Sequence, residues 1–221
     1  MGSKRSLSLT SLQKAVILIF LILIVDQVIK IWVKTTMCIG DSHTIFPNWF
    51  FIHFTENEGM AYGMKLGGSS GKLILSVFRI IAVILIGWWL YRLTKQKAHM
   101  GLIVCVAMIF AGAMGNIIDS AFYGLIFSES SFMQVATLFP KGGGYAGFLY
   151  GKVVDMLYFP IIETHYPQWI PGLGGQEFIF FSPVFNISDS SITTGVILLL
   201  IFQKKFFTKK EVPAGNTAED K

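Results

Sequence analysis

The sequence predicts an all-α membrane protein with four transmembrane helices, a small β-rich outer-surface element and a long outer loop. Three observations carry that expectation. The 221-residue chain is 53% hydrophobic and only 14% charged, where a soluble domain carries about 25% charged residues. Apolar stretches approaching the ~20 residues needed to cross a hydrocarbon core recur four times. The basic residues flank those stretches instead of mixing with them.

The first helix is expected over residues 15–34, the second over 73–91, the third over 101–118 and the fourth over 184–203. The first is not read as a cleaved signal, because Asp26 and Lys30 interrupt it and no small-residue cleavage site follows. Lys4, Arg5 and Lys14 precede the first helix, Arg92, Lys95 and Lys97 crowd the short link between the second and third, and Lys204, Lys205, Lys209 and Lys210 follow the fourth. The two long loops, about 35–71 and 120–183, hold only Lys65, Lys141 and Lys152. The positive-inside rule therefore puts both termini in the cytoplasm and both loops outside. The division expected is a cytoplasmic N-terminus (1–13), a four-helix membrane unit (14–205) and a polar cytoplasmic tail (206–221). Net charge is +5, but its placement beside spans favours anionic membrane lipids over nucleic acid as the partner.

In the first outer loop, residues 43–55 (HTIFPNWFFIHFT) are rich in aromatic and β-branched residues and predict one or two strands. The second loop carries Gly142 to Gly144, many aromatics and Pro160, Pro167 and Pro171. It is expected to hold a short amphipathic helix near 133–139 and to lie against the interface. Cys38 and Cys105 give no disulfide framework and read as packing residues.

The chemistry sits in ionisable groups near lipid, which are costly and usually paired. Asp26 and Lys30 are four apart and share a helix face; a structural ion pair and support for an adjacent site are both open. Arg79 lies inside the second span, and a hydrogen-bond anchor is favoured over a catalytic role. Asp119 and Asp189 close two similar segments, GNIID and FNISD, and Asp155 lies between them in VVDM. Two carboxylates in a low-dielectric site cannot both ionise easily, so one keeps a proton and the pair can act as base and acid on one water. Against that, Asp189 also reads as a plain helix N-cap. By this topology Asp26, Lys30, Asp119, Asp155 and Asp189 all converge on the outer leaflet. Other chemistries read poorly. GGSSGK at 67–72 lacks phosphate-loop spacing. The four histidines make no metal pattern, and no G-x-S-x-G occurs.

The ordered motifs resemble the lipoprotein signal peptidases (signal peptidase II), four-helix membrane aspartic peptidases of bacteria. They are D-Q-x-x-K at Asp26 to Lys30, N-x-G-x-A-[FWY]-G at Asn57 to Gly63, G-N-x-x-D at Gly115 to Asp119, V-V-D at Val153 to Asp155 and F-N-x-[AS]-D at Phe185 to Asp189. The resemblance implies that Asp155 and Asp189 form the catalytic pair. Asn116, Asp119 and Asn186 would line the site, Asn57 and Gly59 would contact substrate, and Asp26 and Lys30 would support it. Asp119 with Asp189 is the rival pair. Two departures stand out. Ser120 occupies the position where the family carries Arg, with Lys152 and Lys141 as candidate replacements. The segment 120–152 is longer than the family's link, and either a lid or a membrane anchor is expected there.

The implied activity is removal of signal peptides from diacylglyceryl-modified prolipoproteins, with the cut just before the modified cysteine. It implies no metal and no organic cofactor, a monomer in the bacterial inner membrane, and inhibition by globomycin-type compounds. The rivals are a small transporter or channel component, a Ser/Lys peptidase using Lys30 or Lys72, and a non-enzymatic assembly factor.

Overall fold

The computed structural model describes residues 9–58, 68–160, 162–172, 174–180 and 183–208. Helix α1 (Ser11–Thr36) starts in a capping box. The Thr10 side chain accepts from Gln13 N at 3.2 Å, and the Gln13 side chain accepts from Thr10 N at 2.9 Å, satisfying two otherwise unpaired donors. Helix α2 (Gly68–Lys95) and helix α3 (Met100–Ile118) follow. The latter runs on through a π-helical turn (Asp119–Tyr123) and one further turn, α4 (Gly124–Ile126). Helix α5 (Ile187–Phe207) closes the bundle.

Among the described residues, four segments are long and apolar enough to cross a membrane: Ser11–Thr36, Gly71–Lys95, Met100–Ile126 and Ile187–Phe207. Their outer faces carry exposed Phe20, Leu21, Phe78, Ile84, Leu200 and Ile201, as lipid contact requires. The fourth span begins three residues later than the expected 184, because Val184 and Phe185 are recruited as a strand and Asn186 caps the helix.

α3 is the central helix, with Leu102, Ile103, Val106, Ala107 and Ala111 buried. It takes α5 at close range. A Cβ on Gly112 would stand 2.2 Å from the Ser188 carbonyl oxygen, and one on Gly115 would stand 2.1 Å from Ser188 Oγ. Such small-residue seams let helix backbones approach in lipid, where packing rather than hydrophobicity drives association.

At one end of the bundle Ala15, Leu90, Leu93, Leu102 and Ile103 form a cluster. At the other end a second cluster joins Val33 and Met37 of α1 to a sheet. That sheet has the order β1-β2-β3-β6, antiparallel throughout, from β1 (Ser42–Phe46), β2 (Phe50–Asn57), β3 (Val153–Tyr158) and β6 (Val184–Phe185). Strands β4 (Ile162–His165) and β5 (Glu177–Phe180) form a separate hairpin. The 43–55 segment thus does form strands, and β3 adds one that the sequence did not announce.

No helix forms near 133–139. Instead the chain pairs across the loop: Ser128 N donates to Thr137 O at 3.0 Å and Phe139 N to Ile126 O at 2.7 Å. These bonds satisfy the backbone without a helix. Two glycines of the 120–152 segment form a packed seam. A Cβ on Gly144 would fall 2.0 Å from Gly124 O, and one on Gly151 would fall 2.1 Å from Asp119 O. Ala146 N donates to Gly124 O at 2.9 Å and Gly151 N to Ser120 O at 2.8 Å. The 120–152 segment is stitched to the end of α3, which favours a fixed brace over a lid. Gly144→Ala is expected to destabilise the fold by about 1–3 kcal/mol through overpacking against backbone; an unchanged melting temperature in detergent would contradict the seam.

Candidate active site

Helix α1 presents Asp26, Lys30 and Lys34, each four residues on and each fully buried. Residues so spaced share one face, and buried charges must be paired. Lys30 Nζ reaches Asp26 Oδ2 at 2.9 Å, Asp119 Oδ2 at 2.8 Å and Asn116 Oδ1 at 3.1 Å, so its three donors meet three acceptors. Gln27 Nε2 donates to Asp119 Oδ1 at 2.9 Å and to Asp26 Oδ2 at 3.1 Å, and Tyr123 OH donates to Gln27 Oε1 at 3.1 Å. Asp26 Oδ1 accepts from Ser188 N at 2.9 Å. Asp119 Oδ2 also accepts from Val154 N at 3.3 Å, which ties the end of α3 to β3. Both oxygens of Asp26 and of Asp119 are therefore engaged in holding α1, α3, α5 and β3 together.

Two asparagines extend the network to the other acids. Asn116 Oδ1 accepts from Lys30 and from Asn186 Nδ2 (3.2 Å), which turns Asn116 Nδ2 outward to donate to Asp189 Oδ1 at 2.8 Å. Asn186 Nδ2 donates to Asp155 Oδ1 at 2.7 Å and contacts Val154 O at 3.3 Å, while its Oδ1 caps α5 by accepting from Asp189 N at 2.9 Å. The N-cap is thus Asn186, and Asp189 sits in the first helical turn with its carboxylate free of the capping task.

Asp155, on β3, is buried. Its carboxyl is pushed up to about 7, first by burial and then by the negative charge of Asp189; hydrogen bonds from Asn186 and Asn57 and the charge of Lys30 oppose the rise. A β-bulge between Ile52 and Thr55 on the neighbouring strand precedes the Thr55–Asp155 pair, and bulges commonly re-aim side chains beside active sites.

The structure thus brings together Asp26, Lys30, Asn57, Asn116, Asp119, Asp155, Asn186 and Asp189; Gly59 lies outside the described residues. The rival pairing of Asp119 with Asp189 is disfavoured by geometry, since Asp119 is locked to Lys30 and Gln27.

Ser120 is buried and its hydroxyl donates to Asn116 O at 3.0 Å. Neither expected lysine replaces a cation there. Lys152 faces Glu56 at 3.5 Å and Glu129 at 3.4 Å, and Lys141 is exposed. Beside Lys30, the acids Asp189, Asp155 and Asp119 also attract Arg79 of α2. Its only sequence signal is a lone charge inside an apolar span. Lys34 and Glu56 are further buried ionic residues that the sequence did not single out.

With Asp155 carrying its proton below about pH 7, a reaction that needs that proton slows as pH rises through this value. kcat/KM is expected to fall above about pH 7, the limb belonging to the coupled pair. A flat profile from pH 6 to 9 would contradict the arrangement.

A family model described as signal peptidase (SPase) II matches residues 18–205. The lipoprotein signal peptidase of Porphyromonas gingivalis (strain ATCC 33277) is 51% identical over 208 residues, covering 91% of this chain and 90% of that protein. The lipoprotein signal peptidase of Amoebophilus asiaticus (strain 5a2) is 34% identical over 184 residues, covering 82% and 73%. A bacterial membrane enzyme solved by the in meso method is similar with a TM-score of 0.56 and 28% identity, covering 90% of this chain and 93% of that one.

Proposed function

The chain belongs to the signal peptidase II family, a multi-pass membrane protease that removes signal peptides from prolipoproteins, and from that premise we propose that it works as an aspartic endopeptidase through Asp155 and Asp189. The observation that carries this is the hydrogen-bonded chain Asp155–Asn186–Asn116–Asp189, which orients one deeply buried and one half-buried carboxyl through the two amides.

In this reading Asp155 holds the proton and Asp189 is ionised. Asp189 takes a proton from water as the water oxygen attacks the scissile carbonyl carbon. Asp155 gives its proton to the carbonyl oxygen, forming a neutral tetrahedral diol. Collapse of the diol breaks the C–N bond: Asp189 returns its proton to the leaving amine, and Asp155 recovers one from the diol hydroxyl. Asn57 and Gly59 serve the substrate backbone, and Lys30 with Asp26 and Asp119 keeps Asn116 aimed. The substrate is a prolipoprotein whose cysteine carries diacylglycerol, and the cut falls just before that cysteine. The enzyme acts without a metal or organic cofactor. A monomer and inhibition by globomycin-type compounds are both expected by family likeness. The test is cleavage of a diacylglyceryl-modified lipobox peptide by wild type, Asp155→Asn and Asp189→Asn. Processing by either variant at the wild-type rate would sink the assignment.

Residues 14–205 act as one membrane unit in the inner membrane, with both termini cytoplasmic and the acids near the outer leaflet. In a background of Cys38→Ser and Cys105→Ala, a cysteine at the exposed Met133 is expected to react with an impermeant thiol reagent in intact spheroplasts. One at Gln96 should react only after permeabilisation, and the opposite pattern would reverse the orientation. The transporter reading is not retained, because the buried acids gather at one end of the bundle instead of tracing a path through it.

A further inference from the structure

The two acids arrive on different parts of the fold, Asp189 on α5 and Asp155 on β3; β6 and Asn186 tie the two parts on one side, and α1 ties them on the other. α1 touches both parts through successive turns of one buried face. Lys30 binds Asn116, whose amide holds Asp189. One turn later Lys34 binds Glu56 Oε1 and donates to Ser130 Oγ at 2.8 Å, and Ser130 donates to the same Glu56 oxygen at 3.0 Å. Glu56 Oε2 is buried, accepts no hydrogen bond, and faces Lys152 Nζ at 3.5 Å.

Glu56 lies opposite Val154 in the β2–β3 pairing, beside the Thr55–Asp155 pair. Paired residues point to the same side and successive ones alternate. Asp155 and Thr55 therefore face one side of the sheet, and Glu56 and Val154 face the other. The carboxylate of Glu56 grips the back of the strand pair that carries Asp155 on its front. Lys152, immediately before β3, and Ser130, from the 120–152 segment, close the same grip. Lys34 is in the last turn of α1, where the helix dipole favours a cation.

We propose that α1 is a strut setting the separation of the catalytic acids, with Lys34 and Glu56 as positioning residues for the Asp155 half as Lys30 and Asn116 are for the Asp189 half. This rests on the aspartic reading of the site. Without the Lys34–Glu56 link the Asp155 strand drifts from α5, Asp189 acts less on Asp155, and the shared proton is held less well. The charged groups that bear on Asp155 are Asp189 from α5, Lys30 from α1, and Arg79 from α2, with Asp119 at the end of α3 bonded to the adjacent Val154 N; the strut changes none of them chemically.

The experiment compares purified full-length wild type with Lys34→Arg and the double variant Lys34→Met/Glu56→Met, using a diacylglyceryl-modified lipobox peptide across pH 5–9. The double variant removes both charges, so no buried ion is left alone and folding is preserved. Its kcat is expected to fall about 10- to 100-fold, as for misplacement on the order of 1 Å, with KM within about threefold. The basic limb of kcat/KM should move down by about half a pH unit or more, because a like charge has receded. Lys34→Arg keeps the link and should stay within about threefold of wild type at an unshifted limb. A double variant that melts like wild type and keeps its kcat and its limb overturns the strut. So does one that loses only folded fraction while the surviving enzyme keeps its pH profile. Asp155→Asn runs alongside as the control: an active Asp155→Asn defeats the aspartic reading itself, whereas an inactive Asp155→Asn with an unaffected double variant defeats only the strut.

Discussion

Asp155→Asn and Asp189→Asn are each expected to lower turnover of a lipid-modified prolipoprotein substrate by about 1,000-fold or more, the scale seen when one member of a catalytic unit is removed. Asn keeps the size of the side chain and one hydrogen-bonding oxygen, so the bond from Asn186 to position 155 or from Asn116 to position 189 can persist. What is lost is the ability to exchange a proton. The loss should fall on kcat rather than KM, and the melting temperature should hold. Asp155→Asn has a further consequence for the fold. Removing a carboxyl that is buried and raised to about 7 also removes an unfavourable charge above that pH, so the variant should be at least as stable as wild type at pH 8. A variant that unfolds at pH 8 would point to a structural role instead.

Lys30→Met is expected to have the largest effect on stability. It leaves Asp26 and Asp119 fully buried without their shared cation, and orphaning one side of a buried ion pair costs about 3–5 kcal/mol. Activity should go with it, because Asn116 loses the partner that fixes its amide orientation. Thermal unfolding in detergent checks the first effect. Adding Asp119→Asn to Lys30→Met should recover part of the melting temperature by removing one orphan charge. If the double variant is no more stable than the single one, the two residues are not coupled as the geometry requires.

Much of the architecture was legible because lipid imposes a strict length on apolar segments. Leu73 to Tyr91 and Gly101 to Ile118 were recognisable on that ground alone. Asp26 and Lys30 were legible as a pair from helical spacing. β3 was hidden because VVDMLY is covered on both faces: five of its six residues are buried, so no polar alternation marks a strand. The 133–139 segment looked helical from its apolar content, yet Phe132, Met133 and Phe139 remain exposed and its backbone pairs across the loop. Asn186 stands inside a motif, but its double duty as helix cap and donor to Asp155 depends on β6 ending where α5 begins. Lys34 read as the polar end of a span. Its partner Glu56 lies on a strand whose register no local pattern states, and Arg79 could be tied to the acids only through the packing of α2.

The charged face of α1 also bears on how the protein is made. α1, made before the other three spans described above, carries Asp26, Lys30 and Lys34 together, which would resist insertion if their partners were all distant. Asp26 and Lys30 neutralise each other within the same helix, so that pair is complete as soon as α1 has coiled. Lys34 finds Glu56 on the strand pair that follows directly. Only Asp119 must wait for the arrival of α3. The order of charges along the chain thus lets α1 enter the bilayer with its inner pair neutral, and Asp119 docks onto a cation already in place.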